Sequence, residues 1–282
     1  MNLYEYKKGK ILVSGSVVLD TILEKTFFGG TGANIAYGLG KLKLSPLLFS
    51  LAGQDFKKDF SAHLKKSGVD SRVHIDKKSD TAVFSCITNE KKEPIGIWSP
   101  NAYKNIHKIS LLKTINRNEI KKVSIAIFSP GTPKSTYRHL REFKNFTPSA
   151  LVIFDPGQMI NFYSKKQFVD CFNLADILIL NEIEFKQIKI ILKRDPVIFF
   201  RKLNKIIIKT QGEKGSVIFK NGGKIKIKAI RPKHVVDTTG AGDAYRAGLI
   251  FGLWKGLSLA KSCALGSRLA SKNIECLGCQ KY

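Results

Sequence analysis

The sequence predicts an α/β fold, with a mostly parallel sheet covered by helices, built as one domain over residues 1–282. Three observations carry that prediction. Strand-like and helix-like patterns alternate along the chain. Several strand patterns end on a polar residue or glycine (Asp20, Asp155, Asn181, Gly212), and in an open α/β sheet such ends gather along one ligand-binding rim. No internal repeat, low-complexity segment or linker cuts the chain in two.

Taken in order, "KILVSGSVVLD" (10–20) reads as a buried strand leaving through a Gly-Ser turn. "GANIAYGLGKL" (32–42) has helical spacing, and "SPLLFSLAG" (45–53) returns as a strand. "DFKKDFSAHLKKSGVD" (55–70) reads as an amphipathic helix capped by Gly68. "TAVFSCITNEKKEPIGIWSPNA" (81–102) is two alternating runs around a charged turn, hence a hairpin, placed as a lid or edge insertion. The α/β rhythm then resumes through 123–131, 135–143, 150–157, 166–175, 176–185 and 205–219, with strand ends at Asp155, Asn181 and Gly212, and the run from Ala244 to Trp254 reads as another helix.

The totals bound the function. The 282 residues are 43% hydrophobic and 25% charged, an ordinary globular balance. No apolar run approaches the ~18 residues of a membrane span, and the N-terminus lacks signal-peptide character, so a cytoplasmic protein is expected. Five scattered cysteines (Cys86, Cys171, Cys263, Cys276, Cys279) argue against a disulfide framework. The one C-x-x-C, Cys276–Cys279, has no second ligand pair for zinc, and reduced bystander thiols are preferred. The net charge of +26 invites nucleic acid as a partner, but the lysines are spread along the whole chain, which favours a solvated basic surface.

No P-loop, G-x-G-x-x-G, G-x-S-x-G or H-E-x-x-H occurs. What does occur is "VVDTTGAGDAYRAGLIFGL" (235–253), glycines and one carboxylate running into a helical pattern. With Asp243 in the first turn, the free N–H groups of Gly240, Ala241 and Gly242 would face outward beside the positive end of the helix dipole, where anions bind. Asp243 would be a proton acceptor there, or only an acidic residue stabilising a helix start.

Together, "VSGSVVLDTIL", "FGGTGANIAYGLGKL", "LNEIE", "KTQGEKG" and "DTTGAGDAYRAG" resemble, in this order, the ribokinase-like (PfkB) family of sugar and nucleoside kinases, over essentially the whole chain. "FDPGQ", "GAGDAYRAGLIFGL" and the terminal "GCQ" are similar to the prokaryotic adenosine kinases within it. The resemblance implies a three-layer α/β/α fold with a small β lid from roughly 16–28 and 81–102. It also implies transfer of phosphate from ATP to an alcohol, with Asp243 as general base and Gly240, Ala241 and Gly242 as the anion cradle.

Asp20 matches the carboxylate that grips vicinal hydroxyls, Gly29 and Gly30 the glycines that let a sugar lie on backbone, and Asn34 the amide that completes its hydrogen bonding. Residues 29–32 could equally be a helix-entry loop. Asn181 and Glu184 match a motif that holds Mg²⁺ through water; the same residues would serve as a helix cap. Thr210, Gln211, Gly212, Gly215 and Thr238 match the ATP side. Arg246 is either a phosphate contact or an exposed helix arginine. A K⁺ requirement stays open, as does the choice between monomer and homodimer. Phe27, Phe28, Phe84 and Trp98 could line an apolar pocket for a base, which favours a nucleoside, adenosine first, over ribose or a sugar phosphate. Neither a membrane nor a specific nucleic acid is expected as partner; a non-catalytic nucleic-acid-binding protein is the distant rival. The ending "GCQKY" departs from relatives at Cys279 and Lys281, in a region that the resemblance places near the nucleotide. The segment between Glu184 and Lys209 is strongly basic, so a trimmed or repacked helix is expected there.

Overall fold

The computed structural model describes residues 8–22, 25–57, 59–88, 94–201, 203 and 205–282. The chain opens with β1 (Lys10–Ser14), β2 (Val18–Ile22), β3 (Lys25–Gly29), α1 (Thr31–Lys41) and β4 (Leu47–Gly53). A 3₁₀ turn (Gln54–Lys57), α2 (Asp59–Lys66) and β5 (Asp70–Asp76) follow, then β6 (Ala82–Thr88) and β7 (Pro94–Ser99). After a 3₁₀ stretch (Asn101–Lys108) come α3 (Leu111–Thr114), α4 (Arg117–Ile120), β8 (Val123–Phe128), α5 (Pro133–Phe146), β9 (Leu151–Phe154), α6 (Lys165–Asn173) and β10 (Ile177–Asn181). The chain ends with α7 (Glu182–Leu192), α8 (Pro196–Arg201), β11 (Ile206–Thr210), β12 (Ser216–Lys220), β13 (Gly223–Ile227), α9 (Ala241–Trp254) and α10 (Leu259–Asn273).

One sheet has nine strands in the order β13-β12-β11-β10-β9-β8-β1-β4-β5, parallel from β11 to β5 with an antiparallel hairpin at the β13 edge. Its central strands are apolar on both faces, as parallel strands sandwiched by helices must be. Helices α1, α2, α9 and α10 bury Ile35, Leu39, Phe60 and Leu249 against Val13, Ile127 and Ile179 on one face. Helices α3 to α8 bury Leu140, Phe143, Phe168, Ile188 and Phe200 against Leu12, Phe128 and Leu180 on the other. Each such side chain contributes roughly 1.5–3 kcal/mol on leaving water. The result is the three-layer α/β/α sandwich that the resemblance implies.

The order of strands positions the site. From β1 the chain moves outward to β4 and β5, then returns to lay β8 on the other side of β1. Connections diverge at that point, and a crevice opens above the C-terminal ends of the strands. A second sheet, β3-β2-β6-β7, brings Asp20 of β2 against Cys279, which itself lies against Gly240 at the start of α9.

Several boundaries differ from those read in the sequence. Residues 10–20 are two strands in different sheets, because Gly15 lies against Gly32 at the start of α1 and the chain turns there. The stretch 55–70 is a 3₁₀ turn plus α2; Gly68 (φ +91°) does end the helix, but Asp70 already belongs to an edge strand. Strand β10 does end at Asn181, as read in the sequence, and Glu182 starts α7. Residues 205–219 fold back as a hairpin, with Gly215 at φ +85°. The basic segment after Glu184 forms α7 and α8. Small residues let α9 and α10 pack closely: a Cβ on Gly248 would lie 2.6 Å from the Leu265 carbonyl oxygen. The tip of the 81–102 hairpin lies outside the described residues, and Asn101 and Ala102 belong to the 3₁₀ stretch. Among the described residues no helix is long and apolar enough to cross a membrane.

Candidate active site

The loop before α9 is tied down at several points. Asp237 accepts the Thr239 N–H (2.9 Å) on one carboxylate oxygen and the Gly278 N–H (3.0 Å) on the other. Asn273 donates to the Thr239 carbonyl at 2.8 Å. Gly240 then takes the left-handed conformation (φ 75°, ψ 0°), and a Cβ there would sit 2.8 Å from Cys279. The Ala241 N–H turns back to the Thr238 carbonyl (3.3 Å) and that of Ala244 to Gly240 (2.9 Å). Among the described residues the amides of Gly242 and Asp243 carry no hydrogen bond. They are donors at the positive end of a 14-residue helix. Of the three predicted cradle residues, Gly242 thus presents its amide and Ala241 does not.

The second group of side chains hangs from β2, β3 and α1. Asp20 is buried beside Gly29, where any Cβ would overlap its carboxylate, and Gly30 needs φ +90°. Burial first, and then the charges of Asp243 and Asp237, raise the pKa of Asp20 to about 7. Asn34 donates from Nδ2 to Asp243 Oδ2 at 2.8 Å. Burial raises Asp243 to about 6, against the opposing pull of Arg246 and Asn34. The strand register puts Phe27, Asp20, Phe84 and Trp98 side by side across β3, β2, β6 and β7, on one face of the small sheet. Phe28 points the other way and stacks on Phe60 (4.5 Å), so it joins the core and not this row.

The third group lies under α9. Arg246 is 7% exposed, which overturns the reading of an exposed helix arginine; its Nη2 donates to Asp155 Oδ1 at 2.8 Å, with Nε facing the other oxygen. The physical reason is that Asp155, fully buried at the end of β9, needs a cation. Asn181 and Glu184 form a reciprocal capping box on α7: Asn181 Oδ1 accepts the Glu184 N–H, and Glu184 accepts the Asn181 N–H, each at 2.8 Å. Burial, then the charge of Asp155, lifts Glu184 to about 7. Next along the rim, Thr210 pairs in register with Asn181, and Gln211, Gly212 and Gly215 close a tight turn in which the Gln211 N–H reaches the Gly215 carbonyl at 2.7 Å.

The tail "GCQKY", which the resemblance places near the nucleotide, also enters the site, on its Asp20 side. Cys279 Sγ lies 3.9 Å from Asp20 Oδ2, Gln280 donates to Asn34 Oδ1 at 2.8 Å, and the Lys281 ammonium sits over the Phe27 ring. The tail therefore walls the Asp20 side. The clamp between Asp237 and Gly278 explains this, since it delivers the next residue between the start of α9 and β2. "GCQ" is the signal that marks this tail in the sequence, whereas Asp155 has only a strand end to mark it.

A family model described as "pfkB family carbohydrate kinase" matches residues 4–282. A nucleoside kinase of Methanocaldococcus jannaschii is 31% identical over 258 residues, 91% of this chain and 82% of that relative. The crystal structure of the nucleoside kinase of that organism, described as an archaeal member of the ribokinase family, superposes with a TM-score of 0.86 at 27% identity, covering 98% of this chain and 94% of that one. A Burkholderia thailandensis nucleoside kinase in complex with inosine shares the fold (TM-score 0.83, 24% identity, 96% and 93% covered). Matched by the family from residue 4 to its last residue, the chain belongs to the pfkB family of carbohydrate kinases and is an ATP-dependent phosphotransferase whose acceptor is an alcohol.

Proposed function

We propose that this kinase transfers the γ-phosphoryl group of MgATP to the 5′-hydroxyl of a nucleoside, with adenosine the preferred acceptor. The observation that carries this reading is the row Phe27–Asp20–Phe84–Trp98. A carboxylate that can accept both ribose hydroxyls stands between aromatic rings that can stack a base. The small sheet bearing that row serves as a lid that excludes water from the transfer.

Asp20 orients the ribose, with Gly29 and Gly30 keeping the floor flat. Asp243 takes the proton of the attacking hydroxyl through Oδ1, since Oδ2 is held by Asn34. The Gly242 and Asp243 amides receive negative charge on the transferring group. The loop 210–215, with Thr238, supports the nucleotide. Arg246 acts from below: its guanidinium is committed to Asp155, and its Nη1 lies under Gly242.

A divalent cation suits this charge distribution. Three carboxylates, Asp155, Glu184 and Asp243, surround a single guanidinium, so the cluster is short of positive charge; burial is the largest reason that all three pKa values are raised. Among the described residues no three His, Cys, Asp or Glu side chains converge to coordinate a metal directly. Asn181 and Glu184 would thus hold Mg²⁺ through water, as a strongly hydrated ion prefers. When bound, it would neutralise charge on the phosphates.

A radiolabelled-phosphate screen over nucleosides and sugars tests the assignment: adenosine should be the fastest acceptor, and turnover of free sugars with none of nucleosides would refute it. Gly29→Ala should raise the acceptor KM about tenfold or more, with the KM for ATP unchanged, because the new methyl group displaces the Asp20 carboxylate.

pH gives a second check. Asp20 (about 7) and Asp243 (about 6) must both be ionised, so kcat/KM should rise with pH. Its logarithm should climb with a slope near one between pH ~7 and ~6, and approach two below ~6. Stability runs the opposite way. Both carboxylates are raised from 3.8, so their stabilising contribution is complete below that value and is lost as pH rises through 6–7. Activity that falls as the thermal midpoint falls over this interval would contradict both assignments.

A further inference from the structure

Two primary amides are buried in the site: Asn34, 4% exposed, and Gln280, 5% exposed. Each has two orientations of nearly equal shape, distinguished only by which end donates. Their partners choose between them. Ionised Asp243 can only accept, so Asn34 must turn Nδ2 toward it, at 2.8 Å. Asn34 Oδ1 is then left to accept, and Gln280 donates to it from Nε2 at 2.8 Å. Gln280 in turn presents Oε1 to His63 Nε2, 3.0 Å away, and that bond requires the nitrogen to carry the proton. The orientation of each group therefore follows from its neighbour along a chain that spans three elements and the tail.

His63 is held so that it can end such a chain. Its ring lies flat on Tyr37 (5.3 Å, 5°) and tilts against Phe28 of the small sheet (5.1 Å, 43°). Burial, and then the charges of Lys66 and Lys41, hold its pKa below the ordinary value against the Gln280 hydrogen bond, which favours the neutral ring with one N–H to place.

We infer that Gln280 and His63 are positioning residues for the general base: His63 orients Gln280, Gln280 orients Asn34, and Asn34 fixes the Asp243 carboxylate so that Oδ1 faces the acceptor. The inference rests on the kinase reading given above. It also gives the tail a task, since Gln280 supplies the donor that holds the far end of the Asn34 amide, at Oδ1.

The test compares the purified full-length enzyme with His63→Phe, His63→Gln and Gln280→Glu. Phe keeps the flat ring without a donor, Gln supplies an N–H from a similar reach, and Glu cannot donate to Asn34. His63→Phe and Gln280→Glu should lower kcat about 10- to 100-fold, with the KM for ATP within about twofold of wild type. His63→Gln should recover to within about threefold of wild-type kcat. A His63→Phe enzyme at wild-type kcat, or His63→Gln as slow as His63→Phe, would overturn the proposal, since ring packing would then be all that matters. Side-chain amide exchange in ¹⁵N-Asn/Gln-labelled protein reads the chain without turnover. The NH₂ protons of Asn34 and Gln280 should exchange slowly in wild type and His63→Gln, and fast in His63→Phe; fast exchange in wild type refutes the chain even in an active kinase. Slow exchange in an enzyme that phosphorylates no nucleoside would sink the nucleoside reading and leave the orienting chain standing.

Discussion

Asp243→Asn is expected to lower kcat by about 10³-fold while leaving the fold and both KM values nearly unchanged. The substitution keeps shape. The amide oxygen that replaces the carboxylate can still accept the Asn34 N–H, and the α9 amides and Gly240 are untouched. What disappears is the ability to take a proton from the attacking hydroxyl, so the loss falls on the chemical step. Stability should move the other way. Burial raises Asp243 to about 6, which means that the folded state penalises its charged form at neutral pH. A neutral amide removes that penalty, and the melting temperature should stay the same or rise slightly. Steady-state kinetics with adenosine and ATP, beside a thermal melt, reads both. Near wild-type kcat would remove the general-base role, whereas a collapsed melt would mark Asp243 as a structural residue.

How much of this site can be read in the sequence depends on how far apart its partners lie. Asn181 and Glu184 are three residues apart, and their capping box is a local pattern, visible beside the metal motif. The glycines at 29–30 and 240–242 are equally local, because each answers a backbone need at its own position. Arg246 is different. Within α9 it looks like an arginine bound for solvent or phosphate; its burial depends on Asp155, 91 residues earlier. His63 and Gln280 are 217 residues apart, and a single histidine on an amphipathic helix carries no sign of such a partner. Asn181, which ends β10 and caps α7, is readable from its type and place, whereas the split of 10–20 into strands of two sheets is not, because it depends on Gly15 meeting Gly32. The orientation of Phe28, toward Phe60 and away from Asp20, follows from strand register, which needs the pairing of β2 with β3.

Arg246→Met should be the most destabilising change in the site, costing about 3–5 kcal/mol, or roughly a 10 °C fall in melting temperature. Asp155 has no exposed surface, and Arg246 is the cation that balances it. Without the guanidinium, Asp155 must stay charged and unpaired or take up a proton. Glu184 and Asp243, both held down by Arg246, would rise further and carry the acid limb of kcat/KM upward with them. Arg246→Lys should be only a partial remedy, because one ammonium cannot engage both carboxylate oxygens as the planar fork does. The double variant Asp155→Asn/Arg246→Met separates the two contributions. Removing both charges should recover most of the stability, since the cost of the single change is the stranded carboxylate and not the lost attraction. Activity should not recover with it, because Glu184 and Asp243 would still lack their cation. If the double variant regained turnover along with its melt, Arg246 would be only a counter-ion for Asp155, and the charge balance of the phosphate cradle would have to come from elsewhere.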